Sequence, residues 1–142
     1  MESKIAIGSD HGGYPLKQHI KANLAGYEFI DVGSDGGASC DYPDFAAAAA
    51  EVLRAGRAAF GVLACRTGQG MAMAANRFAF IRAALLYSED AAAKAREHED
   101  ANMAILAADA FSFEQNLAFL RVFLGTPFSN DERHIRRIRK YS

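Results

Sequence analysis

Four short stretches of this chain carry residue types that could do chemistry. The densest is Cys65-Arg66-Thr67-Gly68-Gln69-Gly70, which follows the apolar run Phe60-Gly61-Val62-Leu63-Ala64. That pattern predicts a buried strand, a tight glycine turn and then a helix. A thiol at the end of such a strand would face the amides of a helix N-terminus, a field that favours thiolate and bound anions. The competing reading is a buried strand cysteine that acts only as a small hydrophobe. Ser9-Asp10-His11-Gly12-Gly13 offers a carboxylate and an imidazole that can relay protons, or else a helix cap and a solvated histidine. His98 stands among acidic neighbours in Arg96-Glu97-His98-Glu99-Asp100. It reads equally as a proton-transfer group or as a histidine stabilising a helix C-terminus. Arg133 and Arg137 lie four residues apart, on one face of a basic C-terminal helix over about 130–140. Paired guanidiniums suit a phosphate monoester; the plainer reading is a solvated helix face.

These residues need a scaffold, and the rest of the sequence predicts one. Strands are expected at Lys4–Ser9, Tyr27–Val32, Phe60–Cys65, Ile81–Leu86 and Met103–Ala107. Between them, Leu16, Ile20 and Leu24 recur every four residues, and an alanine-rich helix runs from Phe45 to Leu53. A short helix is expected over 69–77, and Ser88 caps another that ends near Glu97. Ser112 with Gln115 forms a capping box for a helix carrying Phe113, Leu117, Leu120 and Leu124. Residues 33–43, rich in Gly, Ser and Asp, read as a long loop. Alternation from end to end implies an α/β doubly wound, Rossmann-like three-layer domain with a five-stranded parallel sheet. The first, third and fourth strands are almost wholly apolar, as strands covered on both faces would be. Ligands of such sheets bind beyond the strands' carboxyl ends, where Asp10-His11, Cys65-Arg66-Thr67 and Tyr87-Ser88 fall.

Composition narrows the function classes. The 142 residues fit one domain, with 51% hydrophobic residues and a formal charge of −1. Near neutrality argues against nucleic acid and charged membrane surfaces as partners. No apolar run reaches the roughly 20 residues of a membrane span. Met1-Glu2-Ser3-Lys4 leads straight into a short strand, which predicts no secretory signal. Two cysteines, Cys40 and Cys65, form neither a disulfide framework nor a metal-ligand spacing, so a cytoplasmic protein is expected, with no metal and no cofactor. Cys40, in a polar loop, reads as structural. Gly68 and Gly70 make neither a Walker loop nor a dinucleotide fingerprint, which sets a nucleotide-binding domain aside.

Taken together, the chain resembles the ribose-5-phosphate isomerase B family, which also holds galactose-6-phosphate and allose-6-phosphate isomerases. The matching residues are Ser9-Asp10-His11, Asp41-Tyr42-Pro43-Asp44, Cys65 with Thr67-Gly68 and Gly70, Ala74-Ala75-Asn76-Arg77, Ile81-Arg82-Ala83, His98 with Asn102, and Arg133-His134 with Arg137. They run in family order over nearly the whole chain. The resemblance implies a metal-free aldose–ketose isomerase working through an enediolate, with ribose 5-phosphate and ribulose 5-phosphate as the expected pair. It implies Cys65 as the base between C2 and C1, Thr67 holding the thiol, and the amides of 66–70, including Gly68 and Gly70, stabilising the enediolate. His98 would help open the sugar ring, with Asp10 near the reacting hydroxyls. His11, Arg133 and Arg137 would bind phosphate, Tyr42 would line the sugar pocket, and Asn102 would contact substrate. A homodimer or homotetramer with shared sites is also implied.

Three positions depart from the family pattern. Arg66 stands where a glycine usually precedes the threonine, Glu99 replaces an asparagine, and Asp109 replaces an arginine that commonly helps bind phosphate. Either Arg66 restores the cation lost at 109, or the pocket takes another sugar, even one without phosphate, whose hydroxyls Glu99 and Asp109 would accept. An inactive phosphosugar-binding paralogue is the third reading.

Overall fold

A computed structural model describes residues 4–142; the expectation placed on Met1-Glu2-Ser3 lies outside the described residues. Five strands alternate with helices: β1 (Lys4–Ser9), α1 (Tyr14–Asn23), β2 (Glu28–Gly33), α2 (Tyr42–Arg54), β3 (Phe60–Cys65), α3 (Gln69–Ala75), β4 (Ala83–Leu85), α4 (Glu89–Glu97), β5 (Met103–Ala107), α5 (Phe113–Gly125) and α6 (Glu132–Arg139). All strand pairs are parallel, in the order β2-β1-β3-β5-β4.

Side chains alternate across the central strands, and each face collects its own core. Ile5, Ile7, Val62, Ala64, Ala104 and Leu106 join Leu16 and Ile20 of α1, Ala92 of α4 and Leu117, Leu120 and Phe123 of α5. Ala6, Leu63, Cys65, Met103 and Ile105 join Ala46, Ala49 and Val52 of α2 and Met71 and Ala75 of α3. The expected three layers are therefore present, with the Cys65 side chain on the α2/α3 face.

Two expectations about the elements are corrected. The fully buried strands are β1, β3 and β5, whereas β4 is a three-residue, half-buried edge. Its apolar run misleads because Ile81 and Leu86, both buried, lie just outside the strand. Helix α2 starts at Tyr42 rather than Phe45, with Pro43 in its first turn, where the missing N–H leaves no bond unmade. Its alanines at 46, 49 and 50 are buried in the core, letting the helix approach the sheet closely.

Several of the motif residues hold the fold. Asn76 exchanges two hydrogen bonds with Ala83, its Nδ2 donating to the carbonyl (2.9 Å) and its Oδ1 accepting from the amide (2.8 Å). Arg82 donates to the carbonyl of Asp100 from Nε and a terminal nitrogen, at 3.1 and 2.9 Å. These bonds fix the short edge strand, which has little apolar area of its own. On the far side, the buried Lys17 donates to Asp31 at 2.8 Å and to the carbonyl of Ser34 at 2.5 Å. Burial pushes the Asp31 carboxyl up, but bonds from Lys17, Lys21 and the Gly33 amide outweigh it and hold the group below its usual range. The 34–41 loop is thereby anchored where it leaves β2.

Candidate active site

Three turns meet at the carboxyl ends of β1 and β3. The first is Asp10–Gly13. Asp10, almost fully buried, accepts the Gly13 amide at 2.9 Å and so closes the turn into α1. Gly13 abuts the Ala64–Cys65 peptide, in space a Cβ would have to share with the Ala64 carbonyl. The β1 turn is therefore pressed against the base of the thiol loop.

Cys65–Gly70 is the second. The Gly68 amide donates to Cys65 Sγ at 3.1 Å, and the amides of Met71 and Thr67 also act on the sulfur. Gly68 has φ 79°, a left-handed conformation that turns its N–H back toward the thiol. Thr67 is exposed, and its hydroxyl accepts the Gln69 amide at 3.3 Å. Backbone bonds from Ala108 to the Cys65 carbonyl (2.8 Å) and from Asp109 to the Arg66 carbonyl (2.9 Å) tie this loop to the end of β5.

The third is the 34–41 loop and the start of α2. Tyr42 lies over the first turn of α3, its ring carbon Cζ 2.6 Å from where a Cβ on Gly70 would stand. His11, half-buried, accepts the Cys40 amide on Nδ1 at 3.3 Å, with Cys40 Sγ 3.9 Å from the same nitrogen. Asp10, His11, Tyr42, Cys65, Thr67, Gly68 and Gly70 are thus brought together.

The thiol's electrostatics differ from expectation. Burial pushes the Cys65 thiol up; the amides of Met71, Gly68 and Thr67 pull it down, and the Asp10 carboxylate adds a further push upward. The net direction is upward, because only 5% of the residue is exposed and water is withheld from the thiolate. The helix-end field exists but does not win.

Arg66 and Asp109 are partners. The Arg66 stem lies across the β1 turn, its Cγ 2.6 Å from where a Cβ on Gly12 would stand, and its guanidinium reaches Asp109 at 3.4 Å. Both ends are more than half exposed. They rim a cavity of about 390 Å³ with Thr67, Gln69, Leu85, Tyr87 and Phe111.

The remaining expected residues sit elsewhere. His98 caps the C-terminus of α4, which runs back from the end of β4 on the opposite face from Cys65. The strand between these levels, Met103 to Ala107, spans roughly 13 Å. His98 stacks on His134 with ring centroids 4.4 Å apart, and His134, 6% exposed, holds Ser129 Oγ at 2.7 Å through Nδ1. Arg133 and Arg137 lie exposed on α6, with Arg133 Nε donating to His134 Nε2 at 3.4 Å. Glu99 is exposed and accepts the Tyr141 hydroxyl at 3.1 Å. Asn102 is placed at the amino end of β5, where its Oδ1 accepts the Arg82 amide at 2.8 Å and its Nδ2 donates to the Phe80 carbonyl at 2.9 Å. Within one chain Asn102 is a structural bracket at the wrong end of the sheet to meet Cys65. The contacts of Cys40 with His11 and of His134 with His98 are not readable from the sequence. Nothing local marks Cys40, whose partner is 29 residues away; His134 was visible inside Arg133-His134 but was given no role.

Among the described residues, no group of three His, Cys, Asp or Glu converges as a metal ion would require. No helix among them is long and apolar enough to cross a membrane.

Comparison with known proteins bears on the fold and the family. The chain is 38% identical over 138 residues to ribose-5-phosphate isomerase B of Mycobacterium tuberculosis, covering 95% of this chain and 85% of that one. It is 35% identical over 137 residues to the Escherichia coli protein of the same name, covering 95% and 91%. Among solved structures, a ribose 5-phosphate isomerase from Thermotoga maritima superposes with TM-score 0.95 at 42% identity, covering 99% and 98%. The type B enzyme of Trypanosoma brucei gives 0.95 at 36%, covering 99% and 97%. The ribose/galactose isomerase family model matches residues 5–141, and the chain belongs to that family.

Proposed function

We propose that this chain interconverts ribose 5-phosphate and ribulose 5-phosphate through an enediolate, with Cys65 as the carbon base. The observation that carries the reading is the sulfur itself, held by the Gly68 amide at the end of β3, beside the Asp10 carboxylate. Moving hydrogen between adjacent carbons needs one base that reaches both, and charge stabilisation on oxygen. Cys65 as thiolate takes the C2 proton and returns it to C1. Amides of the 66–70 turn, free of side-chain bulk at Gly68 and Gly70, stabilise the enediolate oxygen. Thr67 borders the thiol loop, Asp10 lies beside the reacting hydroxyls, and Tyr42 walls the sugar.

His98, Glu99, Asn102, Arg133 and Arg137 cannot reach a small ligand on Cys65 of the same chain. Their separation supports a homodimer or homotetramer in which His98 opens the ring and Arg133 and Arg137, from α6, bind phosphate at a neighbouring subunit's thiol. Arg133 and Arg137, exposed and four residues apart on α6, suit a phosphate monoester and so favour a phosphorylated substrate. The Arg66–Asp109 pair favours neither an added cation nor an added anion, because the two charges meet each other. The proposed setting is the cytoplasm.

The test is proton–deuterium exchange at C1 and C2 in D2O, over pentose phosphates, hexose phosphates and free sugars. Exchange on ribose 5-phosphate, lost in Cys65→Ala while binding survives, is expected. Binding of a phosphosugar with no exchange by the wild-type chain would replace the enzyme by a binding protein.

A further inference from the structure

We propose that the backbone amide of Cys40 sets the tautomer of His11, so that this ring presents an Nε2–H donor at the strand-end site. A neutral imidazole has one N–H and one bare nitrogen. The Cys40 N–H points at His11 Nδ1 from 3.3 Å, and a donor can meet only a bare nitrogen. The Cys40 thiol, 3.9 Å from the same atom, is compatible, since S–H is a weak donor. The proton therefore sits on Nε2, on the far side of the ring from Cys40.

The placement couples this choice to the rest of the site. Cys40 is two residues before Tyr42, whose ring lies over Gly70, and His11 follows Asp10 directly. One segment thus fixes both the proton on His11 and the wall over the thiol loop. A bare nitrogen facing a phosphate oxygen would set lone pair against lone pair, whereas Nε2–H donates to it. This last step, that the recipient is the substrate's phosphate, rests on the isomerase reading; the tautomer does not.

Long-range proton–nitrogen NMR of the full-length, histidine-labelled protein reads the tautomer directly, with His11 assigned among the four histidines from the His11→Gln spectrum. A pyridine-type Nδ1 and a pyrrole-type Nε2 are expected in the wild type and in Cys40→Ala, which keeps the amide. The reverse pattern, or two pyrrole-type nitrogens, overturns the proposal. Cys40→Pro deletes the donor and is expected to give mixed tautomers; an unchanged pattern in the folded variant would also overturn it. A second readout does not depend on Cys40→Pro folding. Glutamine can place its N–H₂ near the Nε2 position, and asparagine near Nδ1. His11→Gln is expected to bind ribose 5-phosphate within about 3-fold of wild type, and His11→Asn about 10-fold or more weakly. Equal losses in the two variants would remove the donor role. NMR on the unliganded protein separates this inference from the isomerase reading, which fails instead if the wild type binds no ribose 5-phosphate.

Discussion

The carboxyl end of β3 and the corner where α4 meets α6 are built by different means. At the first, backbone does the placing: amides of Gly68, Gly13 and Cys40 meet Cys65, Asp10 and His11, and carbonyls of Cys65 and Arg66 are tied to β5. At the second, side chains hold one another, with His98 stacked on His134, and His134 bonded by Ser129 and Arg133. Backbone placement suits the thiol proposed as the reaction's base. The stacked pair, with His134 buried and His98 half-buried, lies beside exposed arginines and has no such thiol next to it. Each half lacks what the other has, which supports the proposal that two copies of the chain share a site.

Mixing two dead variants tests that division most sharply. Cys65→Ala and His98→Ala are each expected to lose at least about 100-fold in turnover, as the loss of a base or acid does. If sites are shared across a two-fold interface, unfolding and refolding an equal mixture restores about a quarter of wild-type activity, because half the dimers carry one intact site. A mixture no more active than its components would place the whole site in one chain and end the comparison.

Stability should also divide the two regions. Lys17 is 1% exposed, with its ammonium on Asp31 and the Ser34 carbonyl, and it anchors the loop that leads to Cys40 and Tyr42. Lys17→Met keeps the stem and removes the charge, leaving the Ser34 carbonyl without its buried donor and Asp31 with Lys21 alone. A loss of about 1–3 kcal/mol is expected by urea denaturation. Arg133→Met, on the exposed helix, should change stability by less than about 0.5 kcal/mol. A loss below about 0.5 kcal/mol in Lys17→Met as well would show that the thiol end owes nothing to its buried cation.

The backbone-built half was the more legible in sequence. Glycines at 68 and 70 after an apolar run announced a turn with amides bare of side chains, whereas Asp10, which reads as a helix cap, instead closes the turn before α1, whose N-cap is Gly13. The ends of β1, β3 and β5 followed from composition, because strands buried on both faces must be continuously apolar, whereas the apolar run 81–86 overran the edge strand β4. Long-range facts were not legible. Nothing near Cys40 points to His11, 29 residues away, and Arg66 and Asp109 stood out as oddities without revealing that they meet across 43 positions. The thiol's direction failed for a related reason: the helix-end field is written locally, while burial is a property of the assembled core.

The pH profile sharpens this balance. Because burial sets the Cys65 thiol above its ordinary range, thiolate is the minor form at neutral pH. The rate limited by Cys65 should therefore rise with pH, about 10-fold per unit while the thiol is protonated. Iodoacetamide labelling of the Cys65 peptide, followed by mass spectrometry, should trace the same limb. A plateau already reached on the acid side of neutrality would mean that the amides outweigh burial after all.

The smallest effect is expected where the two regions of the thiol end disagree in charge. Arg66 and Asp109 face each other at 3.4 Å with both side chains mostly in water, so their attraction is worth no more than about 1 kcal/mol. A dianionic phosphate would compete with Asp109 for the same guanidinium. Arg66→Gly should then weaken ribose 5-phosphate binding about 3-fold more than binding of free ribose, and Asp109→Asn should strengthen the phosphate by a similar factor. Salt should shrink both differences, since exposed charge pairs are partly screened and the Debye length is about 10 Å at 0.1 M. If Arg66→Gly weakens sugar and sugar phosphate alike, Arg66 reads no phosphate. Its place across Gly12 would then be a packing role, a stem that closes the β1 turn against the thiol loop.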